Sequence, residues 1–362
     1  MRIALLVPTL EIGGVERVFA NLANGLLQCG VEVDLVVGRA GGEMGRILEK
    51  DIRVFDLESG RMMGSVPTAA KYLRARRPAA MIAAMTHCTA TAVLARAVVR
   101  QKIKIVATEH NTMSKIMANS SGIKYSLMPL WSRWALSSSD SIVAVSHGVA
   151  DDLSMQTGIR RERFRVIYNP VITDGFHTAA TASVEHPWFQ PGKYPVILAV
   201  GRLDKQKAFP MLIRAFRLVR NRRPARLVIL GDGPDRGRIE QIVRDLDLAE
   251  DVALPGFESN PYRYMYRAAA FASSSEWEGF GVALVEALAL GVPVVSTNCM
   301  YGPEEILCGG KFGTLVPVGD HEAMARGLLN AIDNPTQNDS SMHVQQFTVR
   351  SVALKYMSVL ND

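Results

Sequence analysis

The sequence is poor in the features that would mark a secreted, metal-held or membrane-spanning protein. Its 362 residues hold four cysteines, Cys29, Cys88, Cys299 and Cys308, and no C-x-x-C pair. That argues against a disulfide framework, supplies no zinc-ligand spacing, and leads us to expect free thiols in a reducing, cytoplasmic setting. No unbroken apolar run reaches the roughly 18 residues a membrane helix needs. The nearest, 79–99, is interrupted by His87 and Arg96 and reads as a strand followed by a helix. The opening Met1 to Pro8 reaches its proline too soon for a secretory leader. Acid is scarce in one stretch. From Ser59 to Ser139 twelve Lys and Arg stand against one acid, Glu109, a net +11 within a chain of +6, which leaves −5 for the remainder. Charge of that kind would suit a nucleic acid, but no nucleic-acid motif accompanies it. Also missing is a G-x-G-x-x-G after the first apolar run. The later Gly231-Asp232-Gly233 with Gly237 is one residue too long for that fingerprint, and Pro234 argues against it.

What is present is the composition of a globular protein. Hydrophobic residues make up 48% and charged residues 21%, and the length suits two domains. Short apolar runs alternate with helical periodicity: Ile3–Val7, Val31–Val37, Ile52–Asp56, Ala80–Met85, Ile103–Thr108 and Ser141–Ser146 read as buried strands of a doubly wound parallel sheet. A Pro- and Gly-containing stretch of weak pattern follows, and the alternation restarts at Pro195. We therefore expect an α/β protein with one domain over 1–172, a linker over 173–192 and a second domain over 193–340. Two further features suit phosphate binding. Gly13-Gly14 lies between the first strand and a helix, where backbone N–H groups can approach an anion. Gly201-Arg202-Leu203 with Lys207 follows the strand at 195–200, and Arg and Lys are the side chains that grip phosphate oxygens.

The most informative stretch is 275–305. Glu278-Gly279-Phe280-Gly281 leads into an apolar helix that contains Glu286 and stops at Gly291, and a buried strand follows. A carboxylate inside an apolar helix needs a donor, from the protein or from a ligand hydroxyl. Glu, seven residues, Glu, with Gly-Phe-Gly after the first, resembles the E-x7-E signature of family 4 glycosyltransferases. The Gly-Gly-x-Glu at 13–16, His110 at a strand end, the Gly-Arg-Leu loop and Pro255-Gly256-Phe257 occur in the family's order, so the resemblance covers nearly the whole chain. One departure is Ala208, where the family usually has glycine after the lysine.

The resemblance implies a GT-B fold, two Rossmann-like domains facing across a cleft, with the helix at 347–362 crossing back to the first domain. It implies a retaining glycosyltransferase that moves a hexose-type sugar from a nucleotide-diphosphate sugar to a glycan or lipid-linked acceptor. UDP is the family's commonest carrier and GDP the other candidate. By the same resemblance His110 and Glu278 are catalytic. Gly13, Gly14, Arg202 and Lys207 bind the diphosphate, Gly279, Phe280 and Gly281 the donor sugar, Glu286 the ribose, and Pro255, Gly256 and Phe257 the base. Neither a metal nor a cofactor is expected, since Arg, Lys and a helix N-terminus can neutralise the leaving diphosphate. Attack is expected on the face from which the diphosphate leaves. Variants of Arg202 and Lys207 are expected to fold normally because loops carry both groups.

Two readings of other classes stand beside it: a nicotinamide-dependent oxidoreductase, and a non-catalytic nucleotide-sugar-binding protein. The basic excess and the aromatic segment Met113–Trp134, with Lys115, Lys124 and Arg133, also lead us to expect peripheral contact with an anionic membrane at its cytoplasmic face. Arg74, Arg76 and Arg77 are expected to contribute to that contact.

Overall fold

The computed structural model describes residues 1–11, 13–120, 122–190, 194–335 and 339–361. Pro191 and Gly192 of the expected linker lie outside the described residues, as do the side chains of Ile123 and Lys124 in the aromatic segment. The chain divides into two compact units, Met1–Thr173 with Gln346–Asp362, and Asp174–Gln345. Each is a parallel sheet flanked by helices, the Rossmann-like arrangement.

In unit 1 the strands are β1 (Arg2–Val7), β2 (Glu32–Val37), β3 (Arg53–Asp56), β4 (Ala80–Ala84), β5 (Lys104–Glu109), β6 (Ser141–Ala144) and β7 (Phe164–Val166), in the order β3-β2-β1-β4-β5-β6-β7. Helices cover both faces, so the central strands are apolar throughout rather than alternating. One row across the sheet shows this: Leu35, Leu5, Ile82 and Val106 pair in register and all are fully buried. Burying each such side chain contributes about 1.5–3 kcal/mol. The helix Gly14–Gln28 turns Val18, Phe19, Leu22 and Leu26 inward. The helix Val349–Asn361 packs on it, and Gly25 permits the approach: a Cβ there would lie 2.6 Å from Val349 Cγ1.

The basic helix Val66–Arg76 has a structural duty in unit 1. Asp34 of β2 is 0% exposed and accepts from Tyr72 Oη at 2.8 Å and from Arg76 Nε at 3.0 Å. Arg76 is thus committed to a buried carboxylate, and Arg74 reaches the Val98 carbonyl. A change of Arg76 to Glu would break a buried ion pair instead of testing a membrane contact.

Unit 2 contains β8 (Val196–Val200), β9 (Arg226–Leu230), β10 (Val252–Gly256), β11 (Ala270–Ser273), β12 (Val294–Thr297) and β13 (Thr314–Val316), in the order β10-β9-β8-β11-β12-β13. Its core packs the helix Phe209–Arg222, through Leu212, Ile213 and Phe216, against Ile197, Leu227 and Ile229. The stretch expected to be a linker is built into this unit. The helix Phe176–Thr181 buries Phe176 against the Tyr262 ring at 4.6 Å, and Asn260 Nδ2 donates to Ala179 O at 2.8 Å. Among the described residues no helix is long and apolar enough to cross a membrane.

Candidate active site

The strand order of unit 2 reverses between β8 and β11: β9 and β10 lie on one side, β12 and β13 on the other. In an open parallel sheet such a switch point leaves a crevice at the carboxyl ends of the strands, because the connections that follow the two strands lead to opposite faces of the sheet. Those two loops are Gly201–Ala208 after β8 and Ser274–Gly281 after β11. The Gly-Arg-Leu and E-x7-E segments therefore meet at the one place where this sheet topology offers a ligand site.

They are bonded together. Lys207 Nζ lies 2.5 Å from Glu278 Oε1, Gln206 Nε2 donates to Trp277 O at 3.0 Å, and Ser274 Oγ donates to Lys207 O at 2.7 Å. Ser275 Oγ donates to Glu278 Oε1 at 2.6 Å, and Gln206 Nε2 stands 3.4 Å from Oε2. Glu278 is buried, so these donors replace its water. Burial alone would lower the pKa of the Lys207 ammonium, but the Glu278 carboxylate outweighs it and holds the value above that of ordinary lysine. Buried Cys299 stands close by, its thiol pushed up to about 12 by burial and by the Glu278 charge. Arg202 differs: its side chain is 74% exposed and only 3.9 Å from Asp204, so it is free to turn to an incoming anion.

Backbone contacts fix the loops. Gly231, at φ +133°, lies so close that a Cβ would meet Gly201 O at 2.0 Å. Gly302, at φ +105°, lies so close that a Cβ would meet Phe280 O at 1.9 Å. Gly281, at φ +105°, caps the helix Val282–Ala289, whose first N–H groups open beside Glu278. Glu278 is in the loop and Glu286 in the helix. Glu286 is buried, with Tyr262 Oη donating to Oε1 at 3.1 Å. Phe280 is buried. Pro255 and Gly256 form the end of β10, and Phe257 just after it is half exposed.

The remaining predicted site residues belong to unit 1 and gather at its own switch point, between β1 and β4. Gly13 caps the helix Gly14–Gln28, and the Glu16 carboxylate folds back over it, where a Cβ would lie 2.1 Å from Oε2. Phe19 of this helix packs on the His110 ring at 5.7 Å. Thr108 Oγ1 donates to Ala83 O at 3.0 Å, so it accepts from His110 Nε2, 3.1 Å away. This sets the tautomer: Nε2 carries the proton and Nδ1 the lone pair. Nδ1 is buried and meets no protein group in hydrogen-bonding geometry. Burial lowers the His110 pKa to about 4 although Asn169 partly opposes it, so the ring is neutral near pH 7. Burial also raises Glu109 to about 7, against the opposing bond from Thr86 Oγ1 at 2.7 Å.

Gln206, Ser275, Tyr262 and Thr108, which hold these groups in place, were not visible as site residues in the sequence. Each is a common polar residue, and only Gln206, directly before Lys207, and Ser275, three residues before Glu278, sit where a motif could have drawn attention to them. Among the described residues no three His, Cys, Asp or Glu side chains gather as a metal site would require.

Comparison with known proteins bears on both units. The family described as "Glycosyltransferase Family 4" matches residues 12–174, and "Glycosyl transferases group 1" matches residues 185–346. Over 195 residues the chain is 34% identical to the Campylobacter jejuni N-acetylgalactosamine-N,N'-diacetylbacillosaminyl-diphospho-undecaprenol 4-alpha-N-acetylgalactosaminyltransferase, covering 54% of this chain and 51% of that protein. It is 25% identical to the Bacillus anthracis N-acetyl-alpha-D-glucosaminyl L-malate synthase, covering 75% of this chain and 71% of that one. The chain thus spans about half the length of the first of these curated relatives. Among solved structures, a Rickettsia africae glycosyltransferase superposes with a TM-score of 0.81 at 19% identity, over 99% of this chain and 97% of that one. Anabaena HepE in complex with UDP and glucose superposes with a TM-score of 0.78 at 20% identity, over 100% of both chains. At such identities the likeness establishes the fold, which is that of these two-domain enzymes.

Proposed function

Because the chain belongs to family 4 of the glycosyltransferases, we propose that it transfers a hexose-type sugar, with retention, from a nucleotide-diphosphate sugar to a glycan or lipid-linked acceptor. The observation that carries this reading is the pairing of Lys207 with Glu278 at the switch point of unit 2, beside the open N-terminus of Val282–Ala289. A diphosphate needs cationic partners there, and a sugar hydroxyl needs an oriented carboxylate. Both are present in one bonded unit.

In this reading Arg202 and Lys207 hold the diphosphate and stabilise the charge it gains as the glycosidic bond breaks. Glu278 orients the sugar, with the backbone of Gly279, Phe280 and Gly281 beside it. Glu286 takes a ribose hydroxyl, and Pro255 to Phe257 flank the base. Unit 1 carries the acceptor side, the Gly13-Gly14 turn and His110. His110 stands on the donor-sugar side of the reacting centre and, being neutral, adds no charge to the anionic substrate. Charge neutralisation by Arg202, Lys207 and the helix terminus makes the transfer independent of a metal. UDP is the proposed carrier: HepE was solved with UDP and glucose. A lipid-linked acceptor at the cytoplasmic membrane face accords with the Campylobacter relative, named for a diphospho-undecaprenol substrate.

The test is thermal stability with UDP-, GDP- and ADP-sugars, with NADH as the contrasting ligand. A ligand at a hundred times its Kd stabilises by about 2.7 kcal/mol, so the true carrier produces a selective shift, and we expect it from a UDP-sugar. A shift with NADH alone would replace this reading by the oxidoreductase one. A shift with a UDP-sugar, but neither hydrolysis nor transfer, would leave a binding protein.

A further inference from the structure

The helix Met128–Ser137 has its apolar face on the wrong side for a helix of a globular core. Its buried residues are Ser132, Ala135 and Leu136. Apart from buried Leu136 and half-buried Met128, its large apolar residues face water: Leu127, just before it, is 53% exposed, Leu130 66%, Trp131 39% and Trp134 37%. The spacing 127, 130, 131, 134 is that of one helical stripe, about 100° of arc at 3.6 residues per turn. The stripe is therefore continuous, and it is opposite the face that packs. Leu136 anchors the inward face, small Ser132 and Ala135 let the helix sit close to its neighbours, and Ser132 Oγ lies 3.3 Å from Thr86 Oγ1. The two indoles lie 4.8 Å apart and partly cover one another, but among the described residues nothing covers the stripe as a whole. A contiguous apolar face of this kind marks a contact surface.

Charge decides what it contacts. From His110 to Ser139 there is no Asp or Glu, while Lys115, Lys124 and Arg133 are present. The acids on flanking elements are engaged within the fold: Asp140 binds Arg96, Asp151 binds Arg161, Asp152 accepts from Ser114 N, and Glu109 is buried against Thr86. A second copy of the same face would bring like charges together. An anionic bilayer meets both features, taking Leu into the acyl boundary, indole at headgroup depth, and cations at lipid phosphates. We propose that this stripe is the surface by which the protein enters an anionic lipid bilayer. The proposal deepens the reading of a membrane-borne acceptor, and it moves the docking face away from Arg74, Arg76 and Arg77.

The experiment is flotation of the full chain with vesicles of phosphatidylglycerol and phosphatidylcholine, 1:1, and of phosphatidylcholine alone. Tryptophan emission is followed with brominated acyl chains in the same vesicles. We expect binding to the anionic vesicles, a blue shift, and quenching by bromine. Leu130→Glu should weaken binding at least tenfold with unchanged circular dichroism, and Leu130→Met should retain it. Sedimentation without lipid should be monomeric for all three. No flotation by the wild type, equal flotation of Leu130→Glu, or self-association abolished by Leu130→Glu without any lipid binding would each overturn the proposal. The thermal shift with sugar nucleotides is measured on the same samples. A shift without flotation removes this inference and leaves the donor reading, while flotation lost on Leu130→Glu without any shift does the reverse.

Discussion

Lys207 Nζ stands 2.5 Å from Glu278 Oε1, and the two residues come from loops that follow neighbouring strands, β8 and β11. The pair is therefore part of the fold of unit 2 as well as of its site. Lys207→Ala would leave a buried carboxylate with hydroxyl and amide donors but no countercharge, which costs about 3 kcal/mol. The expectation that such a variant folds normally gives way to a lowered Tm, alongside lost activity. Lys207→Met with Glu278→Gln should regain most of the stability and none of the activity. A Lys207→Ala protein melting with the wild type would show that the pair does not hold the loops.

The two motif glutamates should separate kinetically. Glu278→Gln is expected to lower kcat by about 100-fold, as loss of an oriented group at the reacting centre does. Glu286→Gln is expected mainly to raise the donor KM. Tyr262→Phe, which removes the hydroxyl donating to Glu286, should give a weaker form of the Glu286 effect. Equal kcat and KM changes in both glutamate variants would mean that the roles are misassigned.

Glu109 predicts a pH dependence. Burial raises its pKa from 4.5 to about 7, so between these values the folded protein binds the proton more tightly than the unfolded chain. Stability then falls as pH rises through that window, and above it the ionised, buried carboxyl costs about 3 kcal/mol. Glu109→Gln keeps an oxygen for Thr86 and removes the ionisation. It should raise Tm at pH 8 and change it little at pH 4.5. A Tm difference between the two proteins that is the same at both pH values would rule out this account.

Ala208 occupies a left-handed conformation, φ +47° and ψ +38°, at the N-cap of Phe209–Arg222. That conformation costs a residue with a Cβ about 1–2 kcal/mol. Ala208→Gly releases it against some added freedom of the unfolded chain, for a net gain of about 1 kcal/mol. Denaturant unfolding should show a higher midpoint at unchanged slope. An unchanged or lower midpoint would show that surrounding contacts already compensate the strain.

Much of the fold was legible because parallel strands are buried on both faces. Ile3–Val7 and Val196–Val200 read as strands from their unbroken apolar runs alone. β7 did not, since Phe164–Val166 is three residues with exposed Arg165 in the middle. The helix Phe176–Thr181 escaped notice because it buries only one large side chain, Phe176, beside the small Ala180. At the site, the carboxylate inside an apolar helix announced that Glu286 needed a donor, but nothing in sequence pointed to Tyr262. The bond between Lys207 and Glu278 spans 71 residues and depends on strand order, which residue pattern does not encode. The outward stripe of Met128–Ser137 could be read as apolar, but the side it faces is set by Ser132, Ala135 and Leu136, which pack beneath it.

The contact between Gly25 and Val349 has a consequence for biosynthesis. Unit 1 is discontinuous, and the helix that covers Gly14–Gln28 is translated only after the whole of unit 2. Unit 2 is continuous and can close as soon as it emerges. Unit 1, though its strands are made first, must wait on the ribosome with one apolar helix face bare, and it is completed second. During that interval the nascent chain is most open to aggregation and to chaperone capture.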